Sequence, residues 1–144
     1  MRGLLIAAMT LAACSAPIAH AQTSDAFEGT WAFQTASYGA EQVGGIMSGA
    51  AVITREAPNR YAIRLIANER LVNRDTGQTA FLTARQNCTG ENADGQFTIT
   101  CQMAEPLEGY EPDTFLVQAG EADQLVGVLQ QSQTSPQVTF SRMR

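Results

Sequence analysis

The chain has 144 residues and a formal net charge of −5, and hydrophobic residues make up 44% of it. This length fits one domain with a modest core, and the composition is that of a globular protein rather than a disordered one. The negative charge disfavours nucleic acid and anionic membrane surfaces as partners. All nine basic residues are arginines, so chemistry that needs a lysine, such as Schiff-base formation, is excluded.

Residues 1–21 are predicted to be an export signal. A short basic start precedes an apolar run that is too short to span a bilayer, and an Ala-His-Ala sequence ends at Ala21. Cleavage there releases a domain of residues 22–144 into the periplasm or the medium, with no transmembrane segment. A second interpretation stays open, because Leu11-Ala12-Ala13-Cys14 resembles a bacterial lipobox. Cys14 would then be the lipidated N-terminus of an outer-membrane lipoprotein.

The first half of the domain is predicted to form strands. Apolar and polar residues alternate in each segment, and Pro58-Asn59 and the segment 74–77 are typical turns. The segment 36–45, rich in glycine and alanine, is expected to be a loop beside an opening. Small residues on inward positions, such as Gly49, are expected to leave space in the interior. The predicted strands are 27–33, 46–54, 61–67 and 78–88.

Two cysteines, Cys88 and Cys101, are predicted to form a disulfide across a hairpin. Asp94-Gly95 between them is a strong signal for a type I′ turn, because both central residues need φ > 0. Counting outward from this turn places the cysteines at a non-hydrogen-bonded pair, where side chains lie close enough to bridge. The bridge closes a loop of about 13 residues, which is worth roughly 3 kcal/mol. We expect it to be structural rather than redox-active.

The second half continues with short strands at 96–103, 114–119, 124–131 and 137–144. No apolar spacing typical of a three-turn helix occurs along the chain. About eight strands joined in simple sequence predict an all-β fold. The favoured architecture is a single antiparallel up-and-down barrel, and a β-sandwich is the alternative.

The first predicted strand, Phe27-Glu28-Gly29-Thr30-Trp31, resembles the Gly-x-Trp opening of the lipocalin and fatty-acid-binding-protein superfamily, the calycins. The resemblance implies a lipocalin-like barrel that holds an apolar ligand. It also implies that Trp31 closes one end of the barrel. A late arginine, either Arg142 or Arg144, would pack over its ring in a cation–π contact.

Few residues are suited to catalysis. The only histidine, His20, lies in the predicted signal, so the mature chain has no imidazole to act as an acid, a base or a zinc ligand. Four carboxylates, Glu105, Glu108, Glu111 and Asp113, share a proline-rich loop. We expect this loop to be solvated rather than a weak calcium site or a glycosidase pair. We therefore expect no enzyme activity, no catalytic residue, no metal and no cofactor.

Two functions stay open. The first is the binding of a small apolar or amphipathic molecule inside the barrel; six arginines between Arg55 and Arg85 would favour an anionic amphiphile, steered by Arg64. The second is a protein-interaction module, such as a periplasmic inhibitor, accessory or scaffold, with a filled core and a contact surface around Leu107 and Tyr110. A cavity of at least about 300 Å³ would favour the first. The candidate ligand contacts are Trp31, Phe33, Tyr61, Arg64, Phe97 and Phe115.

Overall fold

The structure, a computed structural model, describes residues 25–131 and 133–144. The predicted export signal and the choice between processing at Ala21 and at Cys14 lie outside these residues. The elements are β1 (Gly29–Thr35), β2 (Tyr38–Gly39), β3 (Val43–Ala57), β4 (Arg60–Asn73), β5 (Thr79–Ala93), β6 (Gln96–Met103), β7 (Thr114–Ala119), β8 (Gln124–Gln130) and β9 (Gln137–Arg142).

All of these strands except β2 form one closed antiparallel barrel. The sheet order runs from β1 through β9 and back along the chain to β3, and the pairing of β1 with β3 closes the ring. The predicted all-β, up-and-down barrel of about eight strands is confirmed, and the sandwich alternative is wrong. The segment 36–45 differs from the predicted loop, because Tyr38 of β2 pairs with Gly45 at the start of β3.

No helix long and apolar enough to cross a bilayer occurs in the part of the chain that the structure describes.

The predicted disulfide hairpin is confirmed in its register. Asp94 and Gly95 have φ values of 51° and 88°, as a type I′ turn requires. Cys88 pairs with Cys101 across β5 and β6, and their sulfur atoms are 2.02 Å apart. A disulfide-bonded barrel is compatible with an extracytoplasmic location.

Aromatic side chains fill much of the barrel interior. Phe33 stacks on Phe140 with ring centroids 5.0 Å apart and meets Phe115 edge-to-face at 5.5 Å. Phe27 stacks on Phe97 at 4.3 Å. Such pairs add to the stabilisation that burial of the rings already provides. The barrel therefore has an aromatic core that joins the remaining buried apolar side chains in one cluster.

Two glycines in the strands allow close contacts in the barrel wall. A Cβ atom on Gly49 would lie 2.0 Å from the carbonyl oxygen of Ile66 and 2.7 Å from the Phe33 ring. A Cβ atom on Gly127 would lie 1.9 Å from the carbonyl oxygen of Leu116. Glycine in a strand commonly marks such a tight bend or close approach. The expectation that these small residues leave space is wrong, because neighbouring backbone and the Phe33 ring already occupy it.

One end of the barrel, which we call the closed end, is formed by residues 25–28, Trp31 and Arg142. Trp31 is 1% exposed, and its Nε1–H donates to the carbonyl oxygen of Phe27 at 2.8 Å. The guanidinium carbon of Arg142 lies 4.3 Å from the Trp31 ring centroid. The cation–π partner of Trp31 is therefore Arg142, whereas Arg144 pairs with Asp123 at 3.0 Å.

The opposite, open end carries the segment 36–42, which includes β2, the connection 104–113, and the described residues of the connection after β8, 131 and 133–136. There β3, β4 and β5, with 15, 14 and 15 residues, extend past the shorter barrel strands. The longest of the other barrel strands, β6, has 8 residues. The extension and the connections together enclose a polar pocket, which is described next.

Candidate functional site

A pocket of about 590 Å³ opens at the open end of the barrel. Met47 and Leu71, from the inner faces of β3 and β4, form its apolar floor. Polar side chains from β2, β4 and the connections after β6 and β8 surround this floor. The principal polar lining residues are Tyr38, Glu69, Tyr110, Asp113 and Gln131.

Asp113 is the most constrained polar residue of this pocket. It is 4% exposed, and its Oδ2 accepts hydrogen bonds from Nε2 of Gln86 and, at 2.8 Å, from Oη of Tyr110. Its backbone N–H donates to Oε1 of Gln86 at 2.8 Å. Because Gln86 is itself 2% exposed on β5, these reciprocal bonds attach the end of the 104–113 connection to the barrel wall.

The second carboxylate of the pocket, Glu69, accepts a hydrogen bond from Oη of Tyr38. Burial raises the pKa of Tyr38 well above its usual value, and the bond to Glu69 adds to this. Burial likewise raises the pKa of Tyr110, and the neighbouring charge of Asp113 adds to it. Both phenols therefore keep their protons at neutral pH and act as hydrogen-bond donors.

The pKa of Asp113 is raised above its usual 3.8. Burial is the main cause, because it disfavours the charged carboxylate, and the nearby charge of Glu69 acts in the same direction. The hydrogen bonds from Gln86 and Tyr110 oppose the rise. No arginine among the described residues lines the pocket, and three acids, Glu69, Glu111 and Asp113, do. Its electrostatic character is therefore acidic, and two of these carboxylates, Glu69 and Asp113, are hydrogen-bonded to phenols.

The predicted aromatic contacts lie elsewhere in the barrel. Trp31, Phe33, Tyr61, Phe97 and Phe115 are all buried, and none of them lines the pocket at the open end. Tyr61 lies at the closed end, where its Oη donates to Asp25 at 2.9 Å. Burial, with the bond to Asp25, raises the pKa of Tyr61 to about 12. A ligand contact by these five side chains stays a prediction.

Arg64 lies near neither the predicted aromatic contacts nor the pocket at the open end. It is exposed on the outer face of β4, where it pairs with Val52 of β3 and Asn87 of β5. The side chain therefore does not share the interior with the predicted aromatic contacts, and the pocket does not include it.

The acidic connection 104–113 differs in part from its expected solvated state. Glu105, Glu108 and Glu111 are exposed, but Asp113 is buried. Leu107 and Tyr110 pack partly buried against the core, so they do not form a fully exposed apolar patch. Among the described residues, no group of three or more His, Cys, Asp or Glu side chains is arranged to hold a metal ion.

Sequence reasoning missed the residues that build the pocket, although the alternation of β4 and β5 contained a signal. Tyr61 to Ala67 places every second residue inward, and Glu69 continues this series. Ala84 and Cys88 are likewise inward, and Gln86 lies between them. A polar side chain at an inward strand position needs a hydrogen-bond partner, and here the partners come from distant connections.

Comparison with known proteins gives a fold but no family. No protein-family model matches the chain, and no curated protein matches it significantly. A designed barrel shares the fold. This protein, a de novo designed fluorescence-activating β-barrel, is 16% identical, with a TM-score of 0.58 over 82% of this chain and 94% of its own. The eight-stranded antiparallel barrel also fits broadly the calycin-like architecture that the Gly-x-Trp resemblance implies.

Proposed function

We propose that this protein is an exported, non-catalytic binding protein that takes a small amphipathic molecule into the pocket at the open end. The pocket itself carries the proposal, since about 590 Å³ lies within the usual range of small-molecule sites. Its apolar floor of Met47 and Leu71 beneath a few convergent polar groups is also typical of such sites. The likeness to a fluorescence-activating designed barrel supports the proposal at the level of the fold alone.

The charges of the pocket favour a neutral or cationic head group over an anionic one. Three acids, Glu69, Glu111 and Asp113, line the pocket, and none of the described arginines does. A carboxylate or phosphate placed there would meet like charges, whereas an amine or amide could donate hydrogen bonds to these oxygens. The anionic amphiphile that the arginine-rich segment 55–85 suggested is therefore not the class we propose.

Export is supported by the signal-like sequence of residues 1–21 and by the Cys88–Cys101 bridge. The periplasm is the compartment we propose, with an outer-membrane lipoprotein as the alternative. The intact mass of the protein purified from its host envelope distinguishes them. A chain starting at Gln22 fits ordinary cleavage, and a diacylated or triacylated chain starting at Cys14 fits the lipoprotein.

The binding proposal is tested by calorimetric titration with dodecylamine, dodecanol and dodecanoate, each below its critical micelle concentration. We expect saturable binding of the amine and the alcohol and weaker binding of the carboxylate. Tyr110→Phe removes a pocket hydroxyl whose oxygen can accept a hydrogen bond from the head group, and it should weaken binding by about tenfold, the equivalent of one hydrogen bond. Tyr61→Phe removes a phenol at the closed end and serves as the matched control.

Three results would contradict the proposal. One is no binding of any of the three compounds, and another is tightest binding of dodecanoate. The third is an equal loss of affinity in Tyr110→Phe and Tyr61→Phe, because the ligand would then not be at the open end. The interaction module has less support, since the surface expected around Leu107 and Tyr110 packs partly against the core.

A further inference from the structure

The first half of β5 has a neighbouring strand on one side only. Thr79 to Gln86 pair with β4, but the pairing with β6 begins at Gln86. The segment 79–85 therefore forms one edge of the three-stranded extension at the open end. A single backbone hydrogen bond reaches this edge from the next connection, from the N–H of Ala104 to the carbonyl oxygen of Arg85 at 2.9 Å.

The backbone groups that point out from this edge follow from the disulfide register. Cys88 and Cys101 have Cα atoms 4.0 Å apart, which is typical of a non-hydrogen-bonded pair. The N–H and C=O of Cys88 therefore point to β4, and those of Arg85 point away from it, as its bond to Ala104 requires. Backbone N–H and C=O groups alternate in direction along a strand, so those of Thr79, Phe81 and Thr83 also point to the open edge. No strand of the described chain pairs with them there.

Edges of this kind are usually protected by proline, by charged side chains, by a bulge or by a covering element. The segment Thr-Ala-Phe-Leu-Thr-Ala-Arg has no proline and no charge before its last residue. Phe81 is 75% exposed, the most exposed large hydrophobic side chain among the described residues. Beside it lies a groove of about 540 Å³ whose lining includes Phe81, Arg70 and one acid, Glu69. An exposed edge next to such a groove is suited to the addition of a further strand.

The charges of this face indicate which strand would fit. We consider β3 from Ile46 to Thr54 and the residues of β4 and β5 that pair with this stretch. Their outward positions carry three arginines, Arg64, Arg70 and Arg85, and no acid. None of these arginines forms an ion pair with another described residue. A second copy of the chain paired along this edge would bring its own arginines to the same face, which like-charge repulsion disfavours.

We infer that the edge of β5 at residues 79–85 binds an extended segment of a partner protein that has acidic residues at alternate positions. Its backbone pairs with Phe81 and Thr83, and its carboxylates lie on the arginine-bearing outer face. This inference is independent of the pocket at the open end.

The test is fluorescence polarisation with a labelled peptide, Thr-Glu-Val-Glu-Val-Glu-Thr. Controls are the same peptide with lysine in place of glutamate and the same peptide N-methylated at its three glutamates, which removes the N–H groups that would bond to Phe81 and Thr83 in an antiparallel pairing. We expect saturable binding of the acidic peptide and no binding of either control. In the protein, Phe81→Pro removes an edge-directed N–H without removing a bond to β4. Phe81→Pro should lower the affinity for the acidic peptide at least tenfold. Phe81→Thr keeps that N–H and should lower the affinity less.

Circular dichroism shows whether Phe81→Pro is folded, and if it is not, the N-methylated peptide still decides the question on the unaltered protein. The inference is overturned if the acidic peptide shows no saturable binding up to about 1 mM, or if the N-methylated peptide binds equally well. It is also overturned if sedimentation shows a dimer that Phe81→Pro abolishes, because the occupant would then be a second copy.

Discussion

Replacing Arg142 with glutamine should destabilise the barrel far more than the same change at Arg144. The two arginines are close in sequence and both pair with Asp123. Arg142, however, also lies over Trp31 and donates to the backbone carbonyls of Glu28 and Ala26. Its side chain is 23% exposed, against 87% for Arg144. Arg144→Gln is therefore a matched control for the charge alone.

The expected magnitude follows from these contacts. Two hydrogen bonds to the backbone contribute about 1 kcal/mol each, and the cation–π contact adds about 1 kcal/mol. Arg142→Gln should thus lower the free energy of unfolding by about 3 kcal/mol. For a domain of this size, that is a fall in Tm of about 12 °C. The exposed ion pair of Arg144 is worth less than about 1 kcal/mol.

The assay is urea unfolding followed by the fluorescence of Trp31, which is the single tryptophan of the chain. Far-ultraviolet circular dichroism provides a second probe, and coincident transitions establish two-state behaviour. Equal losses in the two variants, or a loss below about 1 kcal/mol for Arg142→Gln, would refute the reasoning. Either result would mean that the closed end does not depend on its contacts with Arg142.

Two further predictions concern the disulfide and the buried acid. Replacing Cys88 and Cys101 with serine together should cost about 3 kcal/mol, because the bridge closes a short loop in the unfolded chain; an unchanged urea midpoint would contradict this. In the folded state the pKa of Asp113 is raised above its usual 3.8. The stability that Asp113 contributes is therefore fully present at a pH below its unfolded-state pKa, and it is lost as the pH rises through its folded-state pKa. The stability of Asp113→Asn relative to the parent protein should therefore increase with pH over this window, and a constant difference would show that Asp113 does not titrate there.

The sequence predicts best those features that depend on neighbouring residues. Asp94 and Gly95 need φ > 0 in a tight hairpin, and this local requirement determines the register that joins Cys88 to Cys101. The turn at Pro58-Asn59 is a second case, since Asn59 has a φ of 61°. The Gly-x-Trp resemblance also anticipated the arginine over Trp31, although it left Arg142 and Arg144 as alternatives.

Features that depend on distant pairing were not predictable in the same way. The sequence predicts that Gly49 leaves space, because its sequence neighbours do not reveal that Ile66 and the Phe33 ring approach it. Asp113 lies among exposed acids in sequence, and its burial depends on Gln86, which is 27 residues away along the chain. The pocket could therefore be found only from the structure, whereas the barrel could be predicted from the sequence.

The closed end also determines how the molecule can be attached to something else. Arg142 bonds to the backbone of residues 25 to 28, so the described chain enters and leaves the barrel at the same end. The pocket lies at the opposite end. A tag, a fusion partner or a surface linker joined directly to Asp25 or to Arg144 would therefore hold the protein by its base and leave the opening facing outward. Immobilised in this way, the barrel could be screened for ligands without the support blocking their entry.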